Sequence, residues 1–94
     1  MLAVVATLRV KAGSEKDFEA VACELVRQVN AGEPGCELYQ LHRSDDPQTY
    51  VFLERYRDQA AVDFHRGSAH FKELGAKMGA FMDGRPQILR LTQV

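Results

Sequence analysis

The chain has 94 residues, 46% hydrophobic and 27% charged, the balance of a folded globular protein and not of a disordered one. That length holds one domain, residues 1–94, with a core that removes only about 60–65% of the unfolded surface from water. Twelve basic against thirteen acidic side chains leave a net charge of −1; this offers no excess for a nucleic-acid backbone or an anionic membrane surface, and no apolar run is long enough to span a bilayer.

Residues 2–11 alternate, with Leu2, Val4, Ala6, Leu8 and Val10 on one apolar face. The other face begins with Ala3 and Val5 and turns polar at Thr7 and Arg9, so the pattern predicts a strand covered at least partly on both sides. The apolar start lacks a basic leader region and runs straight into this strand, which reads as structure and not as a signal peptide. Ser14 followed by Asp17 is a variant of the capping box, and the helix it opens carries Phe18, Val21, Ala22, Leu25 and Val29 as one stripe. It fades near residues 30–32, before Pro34-Gly35.

Two strands follow, over residues 36–43 and 50–57, joined by the polar turn 44–48. In the second, Phe52, Glu54 and Tyr56 share a face, and Val51, Leu53, Arg55 and Arg57 share the other. Asp58 is the N-cap of a short helix over residues 59–66 that Gly67 closes. Ser68 caps the next helix, with the stripe Phe71, Leu74, Met78 and Phe81. Gly75 and Gly79 leave space beside that stripe for a close strand or for a ligand. Asp83-Gly84 ends this helix, and residues 87–94 form a last strand with Ile88, Leu89 and Leu91.

The order is β-α-β-β-α-β with the second helix broken. It predicts an α+β, ferredoxin-like fold: a four-stranded antiparallel sheet with helices on one face. Apolar residues on both strand faces predict a second layer, and the simplest is another copy of the chain. Cys23 and Cys36 lack any metal-binding or disulfide-framework spacing and read as free thiols of a cytoplasmic protein; Cys36, beside the Pro-Gly turn, is the candidate for reactivity.

The ordered set Arg9-Val10-Lys11-Ala12-Gly13, Glu33-Pro34-Gly35-Cys36, His42-Arg43-Ser44, Phe52-Leu53-Glu54-Arg55-Tyr56, His65 and Ser68-Ala69-His70-Phe71 resembles the antibiotic biosynthesis monooxygenase (ABM) family, within the dimeric α+β barrel superfamily. The resemblance covers nearly the whole chain. It implies a homodimeric barrel and a cofactor-free oxygenase acting on quinols, anthrones or related phenols. The family also includes haem-degrading relatives and a signalling-molecule isomerase. Tyr56 stands where the family usually has tryptophan, and Thr7 stands where the haem-degrading relatives carry asparagine.

A phenol or hydroquinone reacts with dioxygen once it has lost a proton, because the anion gives up an electron readily. The protein then has to supply a base, a dry pocket and donors that hold the anion. His65 is the candidate base; its competing reading is a histidine at the end of a short helix, where the dipole favours its charged form. Glu54, flanked by aromatics, is the second catalytic candidate, either orienting His65 or taking a proton itself, and its competing reading is an ion pair with an arginine of a partner chain. Tyr56 is the third, as a hydrogen-bond donor to a substrate oxygen or as a barrel aromatic.

Thr7, Phe52, His70, Phe71, Met78 and Phe81 are the candidate substrate-binding residues, with His70 otherwise a solvated helix start. His42, His65 and His70 are the only histidines, and their spacing fits no zinc motif, so no metal is expected. No phosphate-cradling glycine loop or nucleophile elbow occurs, so no flavin, nucleotide or other cofactor is expected. The expected partners are a small aromatic or quinol-like substrate, dioxygen and a second copy of the chain. The alternatives are a non-catalytic binding module of the same fold, a haem-binding or haem-degrading protein, and a small-molecule isomerase using His65 and Glu54.

Overall fold

The computed structural model describes residues 1–94. Seven elements follow one another: β1 (Leu2–Arg9), α1 (Glu15–Gly32), β2 (Cys36–Arg43), β3 (Thr49–Tyr56), α2 (Gln59–Gly67), α3 (Ala69–Gly79) and β4 (Gln87–Thr92). The strands form one sheet in the order β2-β3-β1-β4, and every neighbouring pair is antiparallel. This is the ferredoxin-like arrangement expected from the element order, with β1 and β3 central.

The register sorts the side chains. Val4 lies opposite Glu54, Ala6 opposite Phe52 and Leu8 opposite Tyr50. These residues face the helices, because strand side chains alternate between faces. The core joins them to Phe18, Ala22, Leu25 and Val29 of α1 and to Leu74 and Met78 of α3. Phe18 packs at a tilt against Tyr50 with ring centroids 4.9 Å apart, and Tyr39 against Phe52 at 5.3 Å. The other sheet face carries Ala3, Val5, Leu38, Val51, Leu53, Leu89 and Leu91, and no helix covers it. Leu89 is 57% exposed and Leu91 42%.

Several boundaries differ from the sequence reading. Ser14 makes no side-chain cap to α1; the Glu15 carboxylate instead accepts from the Gly13 amide at 2.8 Å, so the helix start is closed from inside its first turn. Asp58 and Ser68 do cap α2 and α3, accepting from the amides of Ala61 and Phe71. The last helix stops at Gly79, short of Asp83-Gly84. Residues 81–83 then turn extended beside the end of β1, where Lys11 donates to the Phe81 carbonyl and Asp83 to that of Arg9. Gly84, at φ +91°, makes the turn into β4 that a side chain would strain.

Candidate active site

Between the sheet, α2 and α3 lies a cavity of about 320 Å³, lined mainly by apolar side chains. β3 presents Phe52, Glu54 and Tyr56 to it, α2 presents His65, and α3 presents Phe71 and Met78. A Cβ placed at Gly75 would meet nothing within 4 Å, and Gly75 also borders the cavity. The space expected beside the α3 stripe is therefore open to a ligand and is not filled by a packed strand.

Glu54 and Tyr56 are both buried, and the Tyr56 hydroxyl donates to Glu54 Oε1 at 2.5 Å. Burial pushes the Glu54 carboxyl up to about 7, against the Tyr56 hydrogen bond and with the Glu33 charge adding to the rise. Burial, and then the Glu54 charge, raise the Tyr56 and Tyr39 hydroxyls. Both phenols stay protonated, and that of Tyr56 is the donor to Glu54.

His65 is only 3% exposed. On α2 it shares the inward face with Ala61, four residues earlier. Its ring sits among Phe71, Tyr39 and Tyr56, with centroids at 4.6, 5.1 and 5.6 Å. Nδ1 lies 2.9 Å from Oε2 of Glu33. Burial lowers the affinity of this ring for a second proton, and the Glu33 hydrogen bond opposes that effect. Nε2 makes no hydrogen bond within the chain, yet no buried side-chain nitrogen or oxygen lacks a partner. Nε2 therefore keeps accessible surface and is the nitrogen left for a ligand.

The partner of His65 corrects the sequence reading, in which Glu54 was a candidate to orient it. Glu54 is held by Tyr56, and Glu33 holds His65. Glu33 ends α1, where its amide bonds the Val29 carbonyl, and its side chain is folded inward. The approach depends on Gly35, at which a Cβ would stand 2.7 Å from Cβ of Ala61. The sequence signal was the Glu33-Pro34-Gly35 turn, which only the fold lays against α2.

Other candidates separate. His70 meets the same Glu33 oxygen through Nε2 and does not line the cavity. Thr7 faces away from the cavity, opposite Val51 and Gln87, because period two puts it on the face opposite Ala6 and Leu8. Phe81 packs against the core, but Met82 takes the lining position, because the helical period ends at Gly79. Sequence reading also passed over Tyr39, Arg66 and Arg90, which all border the cavity. Cys36 is half-buried, and burial followed by the Glu33 charge pushes its thiol up to about 11; it is an unreactive thiol at neutral pH.

Glu33, His65 and His70 are also the one group of metal-capable side chains, with ligand atoms within 4.8 Å of one another. Hydrogen bonds between the carboxylate and the two rings already satisfy these atoms.

The family model for antibiotic biosynthesis monooxygenases matches residues 1–77. The chain belongs to the ABM family. "Putative monooxygenase Rv0793" of Mycobacterium tuberculosis is 32% identical over 81 residues, 86% of this chain and 79% of that protein. "Putative monooxygenase YcnE" of Bacillus subtilis is 31% identical over 77 residues, 82% of this chain and 81% of that protein. The crystal structure of a "putative antibiotic biosynthesis monooxygenase" from Caulobacter crescentus CB15 superposes with a TM-score of 0.96 at 42% identity. It covers 99% of this chain and 89% of the other. No helix is long and apolar enough to cross a membrane.

Proposed function

We propose that this ABM-family chain is a cofactor-independent monooxygenase that oxidises a small quinol-like or polyphenolic aromatic with dioxygen, and that it works as a homodimer. The observation that carries this reading is a buried, carboxylate-held imidazole that borders an apolar cavity and whose second nitrogen has no partner in the chain. The names of the relatives point the same way. The cavity is at the small end of the usual range of about 300–1,000 Å³ for ligand sites, which favours one- or two-ring aromatics.

His65 Nε2 takes the hydroxyl proton. The phenolate that forms meets the guanidinium groups of Arg66 and Arg90, which border the cavity and have no ion pair within the chain. It also meets the carboxyl of Glu54, a donor when protonated, which the Tyr56 hydroxyl holds in place by donating to its Oε1. The apolar wall of Phe52, Phe71 and Met78 holds the ring. The anion passes an electron to dioxygen, and the two radicals join at a ring carbon as a peroxide. Loss of water leaves a hydroxyquinone. A hydroquinone plus dioxygen gives a hydroxyquinone plus water, so the substrate supplies all four electrons and no further reductant enters.

The uncovered sheet face supports the homodimer, since a second copy would bury Val5, Leu53, Leu89 and Leu91 as a divided core. The test is oxygen uptake with a panel of benzo- and naphthohydroquinones. Uptake that falls by about 10²–10⁴-fold in His65→Ala, the usual scale for a lost general base, supports the reading. Saturable binding of the same compounds without uptake would replace it with a binding module of the same fold.

A further inference from the structure

We infer that Glu33 is the positioning residue of this site, holding His65 in the tautomer that aims a lone pair into the cavity, and that His70 is the second donor on the same oxygen that fixes the Glu33 side chain for that task. The inference rests on the reading of His65 as the base. It assigns roles to two residues that line no part of the cavity.

The geometry has three parts. First, the Glu33 side chain is 2% exposed, and that of His65 is 4% exposed. An ionised carboxylate that far from water is costly unless donors surround it. Second, one oxygen, Oε2, meets both His65 Nδ1 and His70 Nε2. A carboxylate only accepts, so each ring must present an N–H there. A neutral His65 with its proton on Nδ1 has its lone pair on Nε2, the nitrogen without a protein partner. Third, His70 is the most exposed of the three, its side chain 17% exposed. It closes the solvent side of Glu33, as His65 closes the cavity side.

This arrangement suits the proton accounting of the reaction. The substrate O–H bond breaks and the Nε2–H bond forms, leaving an imidazolium beside Glu33. The peroxide O–O bond then breaks as the oxygenated ring carbon gives up its C–H proton and becomes a carbonyl, and the departing oxygen leaves as water with that proton and the one returned from His65. No net proton leaves, so the base has to store one charge through the electron transfer. A fixed carboxylate at Nδ1 stabilises that stored charge, as in other carboxylate–histidine pairs. The ionisable groups around His65 come from every element packed against it. They are Glu33 at the end of α1, Tyr39 of β2, Glu54 and Tyr56 of β3, Arg66 of α2 and His70 at the start of α3.

The test reads His65 directly and needs no substrate. The intact protein, labelled with ¹⁵N-histidine, is followed by long-range ¹H–¹⁵N NMR as pH is varied, with His65→Asn used to assign the signal. The expected result is a neutral His65 protonated on Nδ1. In Glu33→Gln, with the dispersed spectrum of a folded chain, the pKa of His65 should fall by about one pH unit or more, the size of a lost adjacent charge. His70→Gln, which keeps a donor, should preserve the wild-type value better than His70→Ala. A wild-type His65 protonated on Nε2, or a pKa unmoved in folded Glu33→Gln, overturns the inference. These readouts stand whether or not any hydroquinone is oxidised. If one is, Glu33→Gln should lower kcat by about tenfold or more with KM little changed.

Discussion

Glu33 and His65 are 32 positions apart in the chain and 2.9 Å apart at their polar atoms. The contact joins the end of α1 to the inner face of α2 through a wall that shields both from water. It fixes the orientation of a buried helical imidazole, and it depends on the close packing of the turn between α1 and β2.

Gly35→Ala tests that packing. The added methyl would lie 2.7 Å from Cβ of Ala61, and the atom it meets belongs to a short, buried side chain that cannot swing away. The expected loss of stability is about 1–3 kcal/mol, measured by urea unfolding. The tautomer and pKa of His65 should also shift as Glu33 is pushed back.

Glu54 should make stability depend on pH. Its carboxyl is raised from 4.5 to about 7 in the folded chain. Between those values the folded state holds a proton that the unfolded chain has released, so stability falls as pH rises through the window. The full effect is on the order of 3 kcal/mol. Glu54→Gln keeps an acceptor for the Tyr56 hydroxyl and removes the titration. Its urea midpoint should change less than that of the wild type between about pH 5 and about pH 8. His65 acts in the opposite sense: its lowered pKa makes stability fall as pH drops below the ordinary 6.5, and that part should survive in Glu54→Gln.

The uncovered sheet face yields a prediction about assembly. Leu89→Glu places a carboxylate on the β4 position that is 57% exposed in the single chain. In a two-fold dimer the substitution occurs twice, and each copy buries an unpaired charge. Dimer dissociation by analytical ultracentrifugation should become easier by about a hundredfold or more, roughly 3 kcal/mol. A wild-type chain that sediments as a stable monomer at micromolar concentration would remove the dimer proposal.

The two thiols should differ in reactivity. Cys23 is exposed, while Cys36 is half-buried with its thiol raised to about 11. A maleimide at neutral pH should label Cys23 first in the folded protein, with mass spectrometry locating the adduct, and Cys36 should react at a comparable rate only after unfolding.

The periodicities of the chain by themselves determined most of the architecture. Alternation placed Phe52, Glu54 and Tyr56 on one strand face, and three-and-four spacing placed Phe18, Ala22, Leu25 and Val29 on one helix face. Both are consequences of local backbone geometry, which each segment carries wherever it lies. The breaks at Gly67 and at Pro34-Gly35 were legible for the same reason. Local pattern had no means to say which face of β1 looks toward the cavity, so Thr7 fell on the wrong side. Nor could it see that the helical period stops at Gly79, which hands the lining position of Phe81 to Met82. The pairing of Glu33 with His65 was the least legible feature. A carboxylate and an imidazole 32 positions apart share no periodicity, and they meet only because Gly35 lets the turn after α1 approach Ala61 of α2, a contact that exists once the helices have packed on the sheet.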